Sequence, residues 1–358
     1  MSALGGLVIA DFGRVLAAPY ATMLLADLGA EVVKIEPPGG DETRGWGPPF
    51  VDGQATYFLS VNRNKSSVVV DLASEEGLAA AREVVDRADV VVENFRPGVM
   101  ERFGLGYSAL RAERPGLVYC SVTGFGAGKG RDLPGYDLLV QAVGGLMSVT
   151  GERGGEPVKA GVALVDVLTG VHAAVGILAA LRHRDATGEG QLVEVDLLSV
   201  LLSSMVNQSA GYTAAGVVPG MLGNRHPSIA PYEVVRAADG PMVLAVGNDR
   251  QFRRLCSVLG VGEDPRFGSN SLRVEHVDEL MGVLGPLLLE KTAREWFEVL
   301  TPVGVPCGPV NDLAGAFGLA ADLGLEPVVD VGGVDLVANP IRLSRTPASY
   351  RLPPPGLV

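Results

Sequence analysis

Residues 159–184, KAGVALVDVLTGVHAAVGILAALRHR, form the segment around which the chain is predicted to fold. Only a threonine and a histidine interrupt the apolar and small residues at positions 167–181, a pattern typical of a buried helix. This helix is predicted to begin at or just after Asp166, and the run is too short to cross a bilayer. Small side chains leave part of the helix surface bare, so other backbones can approach closely: Gly170, Ala173, Ala174 and Gly176.

Asp166 stands at the entrance to this apolar run, and two interpretations of it are open. A carboxylate at a helix N-terminus can be held charged by the helix dipole and by free backbone N–H groups, which suits a nucleophile or a base. Asp is also a common N-cap residue with a purely structural role, and the segment by itself favours that simpler interpretation.

Strands and helices alternate on both sides of this segment. Strand patterns at residues 6–12 and 31–36 flank a helical pattern at 18–28, and further strands are predicted at 67–72, 89–95, 117–123 and 191–195. The alternation predicts an α/β fold with a parallel sheet. Residues 13–19, GRVLAAP, lack the glycine fingerprint of a dinucleotide site, so NAD and FAD are disfavoured.

The length of 358 residues predicts two domains. We expect a large domain over residues 1–205, a loop-like linker over 206–231 and a small α/β domain over 232–320. Residues 321–358 form a C-terminal segment that ends in a proline-rich stretch.

Composition excludes several classes of protein. The net charge of −12 disfavours binding to nucleic acid through phosphate neutralisation. The three cysteines lack the spacing of a zinc site or of a disulfide framework, so no metal site is predicted. The N-terminus does not resemble a signal peptide, and no membrane-spanning window is predicted, which indicates a cytoplasmic location.

Three further clusters could carry chemistry. Tyr136 and Asp137 stand at the head of a predicted helix beside a Gly-rich loop, or they are a packing aromatic and a helix-start residue. Asn94, Phe95 and Arg102 lie at the carboxyl end of a predicted parallel strand, where ligands bind in open α/β sheets, or they form an ordinary strand-to-helix turn. The Arg225-His226 loop lines a cleft or, as we favour, is a solvated linker.

An ordered series of stretches resembles the family III CoA-transferases, which have the α-methylacyl-CoA racemases as close relatives. The resemblance runs over nearly the whole chain. It is carried by Asp11-Phe12, Ala18-Pro19, residues 28–36 (LGAEVVKIE), Asn62 to Lys65, Val91 to Phe95 with Arg96-Pro97-Gly98, Gly135-Tyr136-Asp137, Ala163 to Asp166 and Gly176 to Leu181.

The resemblance implies a mechanism for Asp166. In such enzymes an aspartate at this position attacks an acyl-CoA thioester to give a mixed anhydride, and CoA thiolate then converts it to an enzyme thioester. An acceptor acid opens that thioester and leaves as the new acyl-CoA. Coenzyme A is a substrate here, so the resemblance implies no tightly bound cofactor; the partners are acyl-CoA and small carboxylic acids.

The resemblance also implies where CoA and other groups bind. Contacts to CoA carry over to Leu16, Ala17, Val70, Asp71, Asn94, Phe95 and Arg102. Formyl-CoA transferase has a glutamine at the position of Leu16 and an adenine-contacting arginine at that of Pro37, and both departures disfavour a formyl or oxalyl substrate.

Racemases carry a histidine base where this chain has Tyr136, which favours transfer over racemisation and places Tyr136 and Asp137 beside Asp166 as site residues. A racemase and a non-catalytic acyl-CoA-binding protein remain the alternatives.

The family architecture is a Rossmann-like large domain with a parallel sheet and a smaller α/β domain. Two ring-shaped subunits interlock as a homodimer, and the C-terminal segment returns to the large domain. Relatives often continue past the position of Pro355, so we also expect a truncated C-terminus.

Overall fold

The computed structural model describes residues 2–357, and its contacts divide the chain into two compact units. The first unit comprises Met1–Met147, Lys159–Pro219 and Glu326–Val358, and the second comprises Ser148–Val158 and Gly220–Leu325. The long part of the second unit therefore begins after Pro219 and ends at Leu325. The sequence, in contrast, predicts domain limits at 205, 231 and 320. A short segment before the long central helix, Ser148–Val158, belongs to the second unit.

Strands and helices are numbered along the chain. The strands are β1 Val8–Asp11, β2 Glu31–Glu36, β3 Phe50–Val51, β4 Gln54–Ala55, β5 Lys65–Val69, β6 Val90–Glu93, β7 Val118–Thr123, β8 Leu192–Asp196, β9 Tyr232–Ala237, β10 Gly240–Ala245, β11 Cys307–Pro309, β12 Val328–Asp330 and β13 Asp335–Val337. The helices are α1 Ala17–Asp27, α2 Thr56–Val61, α3 Glu75–Arg87, α4 Val99–Arg102, α5 Tyr107–Glu113, α6 Asp137–Val143, α7 Leu164–Thr187, α8 Leu197–Ser204, α9 Val206–Ala215, α10 Asp249–Leu259, α11 Asn270–Glu275, α12 Val277–Leu288, α13 Ala293–Leu300 and α14 Leu313–Asp322. Short 3-10 helices cover Glu42–Gly45, Met147–Val149 and Pro265–Phe267.

A six-stranded parallel sheet forms the centre of the first unit, with the order β5-β2-β1-β6-β7-β8. Side chains of a strand alternate between the two faces of a sheet. Ile9 accordingly belongs to the core on one face and its neighbour Ala10 to the core on the other. Both cores are rich in Val, Ala and Leu, as expected for a sheet that helices cover on both faces. The predicted Rossmann-like α/β fold is confirmed.

Helix α7 packs into one of these cores through its apolar residues Val165, Ala173, Ile177 and Ala180. The predicted close approach of another backbone is present at Gly170, where a Cβ would lie 2.6 Å from the Ala17 carbonyl oxygen. Helix α1 can therefore lie directly against α7.

The sequence prediction for α7 is wrong in two respects. The helix begins at Leu164 and is 24 residues long, so Asp166 lies in its first turn and is not the N-cap. By length and composition alone this helix could also cross a membrane, contrary to the estimate that it is too short. Core helices of folded domains pass the same test, and α7 contributes to a packed core.

The second unit is built on a three-stranded antiparallel sheet with the order β11-β10-β9. Helices α10, α12 and α13 supply its core, in which Trp296 is buried and donates from its indole N–H to the Leu288 carbonyl at 2.8 Å. Thr292 and Glu295 form a capping box at the start of α13. The smaller α/β domain is thus confirmed as an independent core, and α14 is an element that the sequence pattern does not predict.

Candidate active site

The strand order creates a crevice between β1 and β6. Successive connections leave the sheet in opposite directions at this point, and ligands of open α/β sheets bind beyond the carboxyl ends of such strands. Residues 12–16 follow β1, and Asn94 and Phe95 follow β6. The Asn94 side chain joins the two loops, because its amide accepts from Arg14 N and donates to Arg14 O, both at 2.8 Å.

A cavity of about 280 Å³ opens at this crevice, and we call it the Asp166 cavity. It brings together five of the residues predicted to form the site, in addition to Asp166: Leu16, Ala17, Asn94, Phe95 and Tyr136. Its remaining wall includes the end of β7 and the Gly-rich loop at 124–135. That loop closes on itself, since a Cβ on Gly124 would lie 2.5 Å from the Gly135 Cα atom.

Asp137 does not line the cavity but holds the start of α7 from the neighbouring helix α6. Its Oδ1 atom accepts from the backbone N–H groups of Val165 at 2.7 Å and Asp166 at 3.2 Å. Gln141 donates to the other Asp137 oxygen and accepts from Ala160 N at 2.8 Å. The N-cap residue of α7 is Ala163, whose methyl side chain cannot accept a hydrogen bond. Asp137 therefore satisfies the free N–H groups at the start of the helix.

The environment of Asp166 makes its carboxyl group less acidic than usual. Burial, together with the nearby negative charge of Asp137, raises the pKa of Asp166 to about 7. Near neutral pH this group exists in both charge states, and its charged form is a stronger base and nucleophile than an ordinary exposed aspartate.

A second cavity of about 330 Å³ lies beside the first, and we call it the Arg102 cleft. It contains the other predicted CoA contacts, Val70, Asp71 and Arg102, and it shares Phe95 with the Asp166 cavity. Pro37 also lines it, at the position where the resemblance implies a lost arginine. The predicted contacts therefore fall into two neighbouring cavities.

The Arg225-His226 loop belongs to the second unit and does not take part in either cavity. Arg225 pairs with Glu233 at 3.1 Å and with Asp278 at 2.5 Å, and the His226 ring packs edge-on against Tyr232. The loop is therefore half-buried and bonded within the second unit, so the favoured interpretation as a solvated linker is wrong.

Two residues of the site lie outside every motif of the sequence. Arg14 lines both cavities, with its guanidinium 4.6 Å from the centre of the Phe95 ring. Tyr57 belongs to the same packed cluster as Ala163 and Val167, which flank the nucleophile candidate. Burial and the charge of Asp166 raise the pKa of Tyr57 to about 12, so its phenol stays a hydrogen-bond donor at neutral pH.

Buried ion pairs hold the loop that follows β1. Lys34 donates to the Gly13 carbonyl at 2.7 Å and pairs with Asp41 at 2.9 Å. Asp11 accepts from Gly13 N at 2.8 Å and pairs with Lys65 at 3.0 Å. Both the N–H and the C=O group of Gly13, the residue before Arg14, are therefore bonded to buried charged side chains.

A second buried network lies at the end of α1 and connects distant parts of the first unit. Asp27 accepts from two nitrogens of the Arg63 guanidinium, Nε at 3.0 and 3.2 Å to its two oxygens and Nη2 at 2.7 Å. It also accepts from Asn64 at 2.8 Å and from Asn339 at 3.1 Å. The first and last segments of this unit thus share one buried charge.

No three His, Cys, Asp or Glu side chains within residues 2–357 lie close enough to hold a metal ion together. The Asp166 cavity itself is lined by a carboxylate, a phenol, an amide and arginine side chains, among other groups.

Comparisons with known proteins agree with this geometry. The family model described as CoA-transferase family III matches residues 4–357. The succinate–glutarate CoA-transferase of Agrobacterium fabrum is 44% identical over 373 aligned residues, covering 99% of this chain and 92% of that protein. The acetyl-CoA:oxalate CoA-transferase of Acetobacter aceti is 41% identical, covering 95% of this chain and 88% of that protein.

Solved structures give the same result. The crystal structure of a CAIB/BAIF family protein from Brucella suis superposes with a TM-score of 0.89 at 40% identity, covering 99% of this chain and 96% of that one. Sequence and fold are thus shared over nearly the whole chain, and the chain belongs to CoA-transferase family III.

Proposed function

We propose that this enzyme moves CoA between dicarboxylic acids through covalent intermediates on Asp166. The observation that carries the proposal is the Asp166 carboxylate, fixed in the first turn of α7 and facing a cavity at the switch point of the sheet. The relatives named for succinate, glutarate and oxalate support dicarboxylic substrates. Two arginines in the cavity lining, Arg96 and Arg131, give a second carboxylate of the substrate a favourable field.

The proposed reaction needs four displacements and no net proton transfer. An Asp166 oxygen attacks the donor thioester carbon, the C–S bond breaks, and a mixed anhydride and CoA thiolate form. The thiolate attacks the aspartyl carbon and expels the donor acid, leaving an aspartyl thioester. The acceptor carboxylate attacks this thioester to give a new anhydride, and the thiolate then attacks the acceptor carbon, which frees Asp166. Each intermediate reacts with water, so the partly buried position of Asp166 favours transfer over hydrolysis.

The two cavities divide CoA between them in this proposal. The Arg102 cleft takes the nucleotide, whose adenine suits the apolar walls of Val70 and Phe95. The pantetheine arm passes Phe95 and brings the thioester to Asp166.

Mass spectrometry of the products tests this function. A single turnover with succinyl-CoA and ¹⁸O-labelled glutarate should give glutaryl-CoA and leave one ¹⁸O atom on the peptide that contains Asp166. Transfer without label on Asp166 would refute the covalent route.

Deuterium exchange separates transfer from racemisation. In D₂O a 2-methylacyl-CoA should gain little α-deuterium, whereas rapid α-exchange without CoA transfer would identify a racemase instead.

A pH profile tests the raised pKa of Asp166. Because the attacking form is the carboxylate, about one tenth of the enzyme should be active at pH 6 and about nine tenths at pH 8. The kcat should therefore rise with pH around a midpoint near 7. Asp137→Asn keeps an acceptor for the N–H groups of α7 but removes the negative charge, so it should move this midpoint to lower pH. An unchanged midpoint in the variant would contradict the electrostatic role of Asp137.

We further propose a homodimer of interlocked subunits. The first unit exposes apolar side chains on α7, α9 and the residues that follow, including Val175 at 60%, Val206 at 69% and Val218 at 78% exposure. Exposed apolar surface of this kind is typical of a subunit interface. Light scattering should give twice the chain mass of 37.2 kDa, and a monomer at micromolar concentration would contradict the proposal.

A further inference from the structure

Arg14 occupies a place that no motif of the chain explains. It lies at the switch point of the sheet and is a wall residue of both the Asp166 cavity and the Arg102 cleft. Phe95 is the neighbour that it shares with both cavities, and the guanidinium lies over the face of that ring. Any ligand that reaches from one cavity into the other passes this pair.

The charge of Arg14 is not neutralised within the protein. In residues 2–357 its guanidinium makes no ion pair and no hydrogen bond, and it lies over the ring of Phe95. Of the two acidic residues that line the cleft, Glu36 is already engaged by Arg44 at 2.7 Å, and Asp71 forms no ion pair within the described part of the chain. In a chain with a net charge of −12, an unpaired and partly buried cation at a cavity junction is suited to an anionic ligand.

The backbone of Arg14 is also held in place. The Asn94 amide binds both its N–H and its C=O group, and Lys34 and Asp11 fix the preceding Gly13. A guanidinium on such a fixed backbone loses less conformational freedom when it binds its ligand, and its planar fork matches phosphate oxygens.

We propose that the Arg14 guanidinium binds the diphosphate of CoA at the junction of the two cavities. This inference rests on the proposed function, which places the nucleotide in the Arg102 cleft and the thioester beside Asp166. The diphosphate is the anionic group that joins the nucleotide to the pantetheine arm, so it reaches the junction where Arg14 lies. Arg14 then sets the position of the thioester by fixing the other end of the arm.

Three thioester donors with decreasing numbers of phosphate groups test this assignment. They are succinyl-CoA, succinyl-dephospho-CoA, which keeps the diphosphate but lacks the 3′-phosphate, and succinyl-pantetheine, which lacks both. Arg14→Gln should lower kcat/KM with the first two donors by about ten- to hundredfold, the scale of a lost charge-assisted hydrogen bond. With succinyl-pantetheine the variant and the wild type should differ by less than about twofold. Arg14→Lys keeps the charge but lacks the planar fork of the guanidinium. Its kcat/KM with the first two donors should therefore lie between those of the wild type and Arg14→Gln.

Arg111→Gln is the matched control, because it removes the same charge from an exposed arginine that lines neither cavity. An equal loss with all three donors would overturn the assignment, since Arg14 would then act on the acyl group or on the fold. A loss that vanishes already with the dephospho donor would overturn it in favour of the 3′-phosphate.

Calorimetric binding of free CoA separates this inference from the proposed function. If wild-type protein binds CoA but transfers none, the proposed function fails while the effect of Arg14→Gln on the Kd still tests the diphosphate contact. If transfer occurs and the Kd for CoA is the same in the variant, only the assignment of Arg14 fails.

Discussion

Replacing Asp166 with alanine should lower kcat for CoA transfer by at least about 10⁴-fold, because a covalent mechanism loses its nucleophile. Asp137, the nearest candidate, is turned toward the backbone N–H groups of Val165 and Asp166 and does not line the cavity. Hydroxylamine should trap a modified aspartate in the wild type and none in the variant.

The fold and the CoA site should survive this substitution. The apolar face of α7 and the N-terminal contact from Asp137 do not depend on the Asp166 side chain, so the Kd for CoA should stay within about twofold. Asp132→Ala is the control, since this exposed carboxylate of the Gly-rich loop lies outside the cavity lining. Trapping of an acyl group on a residue other than Asp166 would refute the assignment.

Replacing Asp27 with alanine should destabilise the first unit by about 3–5 kcal/mol, because it leaves the Arg63 guanidinium buried without a counter-charge. The side chains of this pair are 3% and 0% exposed, and Asn64 and Asn339 lose an acceptor as well. Urea denaturation followed by circular dichroism should show a much lower midpoint.

The comparison with an exposed pair isolates the effect of burial. Arg87 and Glu31 form an ion pair of the same 2.7 Å length, but their side chains are 53% and 54% exposed. Arg87→Ala should therefore cost at most about 1 kcal/mol. If Asp27→Ala proves insoluble, Asp27→Asn keeps the acceptor oxygen and allows the same measurement. Equal midpoints for the buried-pair and exposed-pair variants would show that the network does not stabilise the fold.

Sequence patterns predicted those features of the fold that are set by residues close together in the chain. The alternation of strands and helices was sufficient for the parallel sheet, and the apolar run at 167–181 was sufficient for α7. The start of that helix was not predictable from it, because its free N–H groups are satisfied by Asp137, which lies 29 positions away from Asp166.

The candidate site shows the same limit. The resemblance gathered Asp166 with Tyr136, Asn94 and Phe95, and these residues do line one cavity. Arg14 was missed because its place depends on a contact with Asn94 across 80 positions, and Tyr57 because its neighbour Val167 is brought to it only by tertiary packing. Neither residue has a spacing signal in the sequence.

The Asp27 network also bears on how the chain is made. Asp27 and Asn339 are 312 positions apart, so at about 5–20 residues per second the ribosome adds the second partner roughly 15–60 s after the first. The core of the second unit, in contrast, is drawn mainly from residues 220–325, and its strand pairs and helices are complete before Asn339 is synthesised. We therefore expect the smaller unit to fold on the nascent chain first, while the larger unit, although begun earlier, waits for its final segment.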